Sequence, residues 1–267
     1  WQQILIWSLM SLFLTIVGSE WLSRYDSSIG VMNLDSMQDS FSIFTVPIIL
    51  TLLLASYLRS YIASRYNVET GYAIPIIFPI LYPIWPFGIA GLLSQKRMDH
   101  LPFPNRRKLI IIESIIPLTL ILFGSFLTIY GVFLTSNEPP NIAESPIVFT
   151  SNLFLKLVSS ILFGDMAELR LQWLHPIGIS GTGLSIIGWI LLLPIPGFPG
   201  DRILYSFIGP SKMNSSTQQT SLFLISLILM IFIFATLDYL PWLFLSAFAA
   251  WQRFSPENVI DQFIIDK

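Results

Sequence analysis

Long runs of apolar residues are the feature that most limits what this chain can fold into. The run from Leu109 to Leu134 is one of several that are long enough to cross a bilayer. In hydrocarbon every backbone N–H and C=O group needs a partner inside the protein, so only helices or a closed barrel can span it. The unbroken runs favour helices. With 54% hydrophobic and 11% charged residues, the chain is too apolar for an ordinary soluble domain.

The apolar runs predict an all-α polytopic membrane protein, a single membrane-embedded domain over residues 1–267 with about six spanning helices. The predicted spans cover residues 4–17, 41–62, 109–134, 177–195, 221–237 and 240–251. A polar loop is expected over residues 18–40 and an interfacial helix over residues 146–164. The apolar segment from Tyr72 to Phe87 holds too many prolines for a regular helix: Pro75, Pro79, Pro83 and Pro86. We expect that segment to be re-entrant or interfacial.

The distribution of basic residues predicts which side of the membrane each loop lies on. The strongest basic cluster precedes the third span and consists of Lys96, Arg97, Arg106, Arg107 and Lys108. By the positive-inside rule this cluster marks the cytoplasmic side, so six spans predict a multi-pass protein with both termini in the cytoplasm. The net charge of −2 and the otherwise scattered basic residues give no footprint for nucleic acid. The absence of cysteine excludes disulfides and thiolate metal sites.

Two stretches resemble the site-2 protease family of intramembrane zinc metalloproteases. The first, "ASYLRSYIASRYNVE" from Ala55 to Glu69, is similar to the family helix that carries HExxH and continues into a run like "HYLAARRYGV". The second, "HPIGISGTGLSIIGWILLLPIPGFPGDRILYSFIG" from His175 to Gly209, resembles the family's "HP…GW…NLLPxxxLDGGR" helix. Between them "PFGIAGLLSQKRMDHLPFPNRRKL" is similar to a family connector, and "SPENVID" to its tail. Together the four blocks cover nearly the whole chain.

The resemblance implies a catalytic site whose residues are missing here. Ser56 and Ser60 stand where the two histidine ligands would be, and Tyr57 where the glutamate base would be. Pro199 takes the place of the aspartate ligand, and Leu191 that of an asparagine. A zinc peptidase needs three protein ligands and a carboxylate base. Serine hydroxyls are poor zinc ligands, and the side chain of proline has no atom that can bind a metal. We therefore expect no catalytic residues, no metal and no cofactor.

Three other groups are candidates for chemistry or partner binding. A shift of register could present Asp201 to a metal, although pairing with Arg202 at a helix end is the simpler interpretation. Asp165, Glu168 and His175 could form an external metal site, or be solvated loop residues. Arg59 lies inside the HExxH-like helix and needs a partner; Asp201, Glu69 and Glu113 are candidates, as are the lipid headgroups if its side chain snorkels.

Three functions remain open from the sequence. The first is a catalytically inactive site-2-protease-like protein that binds other transmembrane helices, as a subunit or regulator of a membrane complex. Its partners would be integral membrane proteins and the lipid bilayer, with a site including Arg59, Asp201 and Arg202. The second is an active intramembrane metalloprotease with atypical ligands. The third is a transporter or channel, for which we would expect inverted repeats or several buried charges, and the sequence indicates neither.

Overall fold

The computed structural model describes residues 2–25, 33–70, 73–77, 87–93, 103–136, 153–164, 173–193, 198–209, 221, 224–225, 228 and 259–261. Most of these residues are helical. The helices are α1 (Gln2–Tyr25), α2 (Leu34–Ser40), a π-helical turn (Phe41–Thr45), α3 (Val46–Arg65), α4 (Arg106–Leu134), α5 (Leu153–Phe163), α6 (Pro176–Leu191) and α7 (Pro199–Ile208). The strands are β1 (Ile74–Ile77), β2 (Ile89–Leu93), β3 (Phe103–Asn105) and β4 (Val259–Asp261).

Among the described residues, three helices are long and apolar enough to cross a membrane: Gln3–Ser23, Leu34–Arg65 and Arg106–Leu134. They correspond to the first three predicted spans, which confirms a membrane-embedded helical protein. Helix α6, at the fourth predicted span, is apolar but shorter. Of the fifth span only residues 221, 224, 225 and 228 are described, all helical, and the sixth lies outside the described residues.

The predicted loop over residues 18–40 is wrong at both of its ends. Helix α1 continues to Tyr25, and α2 already begins at Leu34. The hydroxyls of Ser19 and Ser23 donate to carbonyls three residues earlier in α1, so these polar residues are satisfied within the helix. The Asn33 side chain accepts a hydrogen bond from the backbone N–H of Leu34 and so caps α2.

Short strands are the part of the fold that the all-α prediction did not contain. Strand β1 begins inside the proline-rich segment and pairs with β2. Residues 74–77 of that segment are therefore extended backbone, which agrees with the expectation that it is not a regular helix; residue 72 and residues 78–86 lie outside the described part. Strands β3 and β4 pair in parallel, with Phe103 opposite Val259 and Asn105 opposite Asp261.

The chain divides into two compact units. The first comprises Trp1–Leu53, Pro75–Gly91 and Leu120–Ile186. In it α1 packs on α2 and the π-helical turn: the Ser40 hydroxyl donates to the Thr15 carbonyl, and the Thr15 hydroxyl contacts that of Thr45 at 3.1 Å. The end of α4 packs backbone to backbone on the start of α6. A Cβ atom at Gly131 would lie 2.1 Å from the nitrogen of Gly178, so α4 could not carry a larger residue at position 131.

The second unit comprises Leu54–Ile74, Leu92–Thr119 and Ile187–Lys267. Its apolar core joins the end of α3, the start of α4 and helix α7 through five buried residues: Ala63, Val68, Leu109, Ile112 and Tyr205. The end of α3 is set by Asn67, whose φ of 56° is left-handed. The N–H of Val68 then donates back to the carbonyl of Ala63, a helix ending that glycine and asparagine favour.

Candidate functional site

Arg59 is a buried arginine in α3, less than two turns before the end of that membrane-spanning helix. Only 1% of its surface is exposed, and its Nη2 donates to Oε1 of Glu113 on α4 at 2.8 Å. The sequence left three carboxylates and the lipid headgroups as candidate partners. The structure selects Glu113. Burial to this extent excludes snorkelling, which requires the guanidinium to reach the headgroup region.

A second arginine shares the same carboxylate oxygen. Nη1 of Arg202, on α7, donates to Oε1 of Glu113 at 2.8 Å, and Arg202 is only 4% exposed. These are charge-assisted hydrogen bonds, which are about twice as strong as neutral ones. Three helices of the second unit therefore meet at Glu113. Two of them, α3 and α7, are those that the resemblance to site-2 proteases would bring together at a metal.

Glu113 also lies at an interruption of its own helix. Pro117 is inside α4, four residues after Glu113. Since proline has no N–H group, it cannot donate the helical hydrogen bond that the Glu113 carbonyl would normally accept. Such interruptions are tolerated in spanning helices where polar groups nearby can compensate. The backbone and side chain of Glu113 therefore both contribute polarity to this part of the second unit.

Among the described residues of the second unit, Asp201 is the fourth buried charged residue. It is 7% exposed and lies in the first turn of α7, where the helix dipole favours a negative charge. Counted with Arg59, Glu113 and Arg202, the four carry two positive and two negative formal charges. Buried charges in membrane helices are costly and usually mark a functional site. The candidate functional site is the buried cluster of Arg59, Glu113 and Arg202, together with Asp201, which precedes Arg202 in α7.

The three residues that the resemblance aligns with HExxH have separate environments. Ser56 is buried, and its hydroxyl accepts a hydrogen bond from the backbone N–H of Ala73 at 2.9 Å. Tyr57, in the place of the glutamate base, is 56% exposed and stacks on Tyr61. Ser60 is half-buried, and among the described residues its buried Oγ has no hydrogen-bond partner. The pair Ser56 and Ser60 thus faces inward, whereas Tyr57 faces outward.

The residues that the resemblance aligns with the third ligand begin helix α7. Pro199 is buried in the first turn of α7, a position that suits proline because its missing N–H would be unpaired there in any case. A Cβ atom at Gly200 would lie 2.3 Å from the carbonyl oxygens of Leu192 and Leu193, so only glycine allows this close approach. Leu191, at the asparagine position, is the buried last residue of α6.

The described residues contain no group of three His, Asp or Glu side chains that could hold a metal ion. Asp201 and Glu113 supply carboxylates, but the two basic side chains of the cluster are guanidiniums, which stay protonated and cannot ligate a cation. The external group is described only at His175, because Asp165 and Glu168 lie outside the described residues. The ion pairs of Glu113 with Arg59 and Arg202 connect α3, α4 and α7.

His175, in the first unit, accepts a hydrogen bond and packs against an aromatic ring. Its Nδ1 accepts a hydrogen bond from the backbone N–H of Ile177, and its ring meets that of Tyr25 edge to face at 5.3 Å. Burial holds the pKa of the imidazole below its ordinary value of 6.5. Partial burial thus favours the neutral imidazole, the form in which a ring nitrogen can accept this hydrogen bond.

Comparison with protein-family models, with curated proteins and with solved structures finds no match for this chain. The fold and the site therefore define its class by themselves: a membrane-embedded, mostly helical protein with a buried Arg–Glu–Arg cluster.

Proposed function

We propose that this chain is a catalytically inactive, site-2-protease-like membrane protein that binds other transmembrane helices, as a subunit or regulator of a membrane complex. In this proposal the chain spans the membrane six times, with both termini in the cytoplasm. The observation that carries the proposal is the buried cluster of Arg59, Glu113 and Arg202. It joins the two helices that would share a metal in an active relative.

The chemistry of the cluster supports a loss of catalysis. Arg59 lies one residue from Ser60, at the position of the second histidine, and a fixed positive charge there opposes the binding of a cation. The hydroxyl of Ser56 is already engaged with the backbone of Ala73. Ion pairs hold the helices where a metal would do so in the enzyme. Asn67 adds support for the scaffold, because aligning "RYNV" with the "RYGV" of the family run puts it in the place of glycine.

Exposed aromatic and aliphatic side chains support helix binding. Tyr57 and Tyr61 are 56% and 44% exposed, and their stacked rings, 6.2 Å apart, form one aromatic surface beside the cluster. A neighbouring transmembrane helix could pack on this surface, and each phenol could donate a hydrogen bond to it. An inactive relative that retained the family scaffold would keep its binding surface for helices after the metal was lost.

The experiment is to purify the chain, measure bound zinc, and assay cleavage of a model transmembrane substrate with and without chelator. We expect no stoichiometric zinc and no chelator-sensitive cleavage. The alternative, an active metalloprotease with atypical ligands, predicts both. It also predicts that Asp201→Ala abolishes the cleavage, since Asp201 is the carboxylate nearest to the lost aspartate position in sequence. That combined result would reject the inactive assignment.

A transporter is the second candidate function, and one observation favours it. The sequence indicated no group of buried charges, whereas the described part of the second unit contains four buried charged residues on α3, α4 and α7. Ion pathways in membrane proteins are built from such residues. Reconstitution of the chain into liposomes with an internal pH dye tests this function. Proton or ion flux that Glu113→Gln abolishes would establish transport and displace the helix-binding proposal.

A further inference from the structure

One end of the second unit carries a concentration of positive charge that the buried cluster does not use. Helix α3 ends at Arg65, and α4 begins with Arg106, Arg107 and Lys108. Arg65 and Arg107 are exposed, while Arg106 and Lys108 are half-buried. Arg106 is tied to the protein, since its Nη1 donates to the carbonyl of Ser206 at 3.3 Å. The remaining three form a cationic patch, defined here as Arg65, Arg107 and Lys108.

None of the three side chains of the cationic patch has an acidic partner among the described residues. Two of them contact aromatic rings instead. Lys108 Nζ lies 5.5 Å from the ring centre of Tyr66, and the Arg65 guanidinium lies 5.1 Å from that of Tyr61. Cation–π contacts position a cation without neutralising its charge. The positive end of the α4 dipole adds to the same potential.

The surroundings of the patch indicate a membrane surface. The patch lies where two spanning helices end, so its cations are at the level at which hydrocarbon gives way to water. Tyr61 is exposed on α3 one turn before Arg65, as is typical of tyrosines in the aromatic belt of the interface. The cationic patch therefore lies at the level of the lipid phosphates in the bilayer.

We propose that the cationic patch binds the phosphate of an anionic lipid headgroup, with Arg65 and Arg107 as the exposed donors and Lys108 held over Tyr66 beside them. Clusters of basic residues next to spanning helices bind anionic lipids in this way. The arginines can each donate two parallel hydrogen bonds to phosphate oxygens. The inference does not depend on the proposed function, because it concerns neither catalysis nor the helix partner.

The test is native mass spectrometry of the full chain released from detergent micelles that contain equal amounts of phosphatidylcholine and phosphatidylglycerol. We expect the chain to retain phosphatidylglycerol preferentially. Removing one cation, as in Arg107→Gln, should weaken that retention about fivefold, and the triple change Arg65→Gln, Arg107→Gln, Lys108→Gln on the order of a hundredfold. The charge-conserving change Arg107→Lys should retain most of it.

Two controls keep the interpretation specific. Lys156→Gln removes one positive charge from α5 and should leave lipid retention unchanged. An equal loss in Lys156→Gln and Arg107→Gln would attribute the binding to overall charge and overturn the proposal. Thermal unfolding in neutral detergent should be the same for Arg107→Gln and the unaltered chain, which separates lost binding from lost folding.

Further outcomes would also overturn the proposal. Equal retention of the two lipids would mean that the patch does not select anionic headgroups. If inorganic phosphate at millimolar concentration displaced the lipid completely, the site would be one for a soluble phosphate compound. If the patch instead bound an acidic peptide while showing no preference between lipids, its partner would be a protein.

Discussion

Replacing Glu113 by glutamine should destabilise the protein strongly, because it removes the carboxylate that two buried arginines share. Glutamine keeps the shape of the side chain and one carbonyl oxygen, but it leaves Arg59 and Arg202 without their anion. A hydrogen bond to a charged group contributes about 1.5–3 kcal/mol. Removing one partner of a buried ion pair costs about 3–5 kcal/mol. Both considerations give a loss of about 4 kcal/mol for Glu113→Gln.

Thermal unfolding of the purified chain in detergent measures this loss. A change of 1 kcal/mol shifts the unfolding temperature by about 2–4 °C in a protein of this size range, so we expect a decrease of about 10 °C. Glu69→Gln is the matched control, since Glu69 is an exposed glutamate of the same unit and its replacement should cost less than about 0.5 kcal/mol. A Glu113→Gln variant as stable as that control would refute the reasoning.

The triple replacement Arg59→Met, Glu113→Leu, Arg202→Met tests whether the whole ion network contributes to stability, because it removes all three charges and leaves none unpaired. Apolar replacement of a whole buried ion network is often neutral or stabilising. We therefore expect the triple variant to recover most of the stability that Glu113→Gln loses. Recovery would mean that the cluster is retained for what it does rather than for the stability it gives. A triple variant no more stable than Glu113→Gln would contradict this.

Three further predictions concern packing, a buried hydrogen bond and pH. Gly131→Val should separate α4 from α6 and cost about 3 kcal/mol, whereas Phe126→Val, at an exposed site of α4, should cost far less in the same unfolding assay. Ser56→Ala should leave a buried backbone N–H unpaired and cost about 1–3 kcal/mol, with Ser64→Ala as the exposed control. Because folding lowers the pKa of His175, the free energy of unfolding should be highest above about pH 6.5 and should decrease as the pH falls through the lowered pKa. Part of this pH dependence should be lost in His175→Gln.

The sequence predicted the presence of the first three long apolar helices because their signal is local. The start and end of the third span follow from the apolar run alone, and α4 begins only three residues before the predicted start, Leu109. The boundaries of α1 and α2 were missed because serine and acidic residues were interpreted as a loop. In the structure Ser36 and Ser40 are buried, and the Ser40 hydroxyl bonds to Thr15 across to α1. Such contacts between helices are not visible in a local pattern.

The candidate site was predicted only in part for the same reason. Arg59 stood out because a charge inside a spanning helix needs a partner. The choice of Glu113 over Asp201 or Glu69 depends on which helices pack together, and no local spacing determines that. The one available signal was a lone acidic residue in the long apolar run of α4. The pairing of β3 with β4 is equally non-local, since it joins residues near 104 to residues near 260.

The most direct test of the central claim is photo-cross-linking from position 57 in native membranes. Tyr57 is exposed beside the buried cluster, and a photoreactive analogue there would label whatever packs on this surface. Mass spectrometry of the adducts identifies the labelled species and its length. The proposed function predicts adducts with intact transmembrane segments of other proteins, unchanged by chelator. Adducts with lipid only would contradict helix binding, and shortened segments that appear only without chelator would show an active protease.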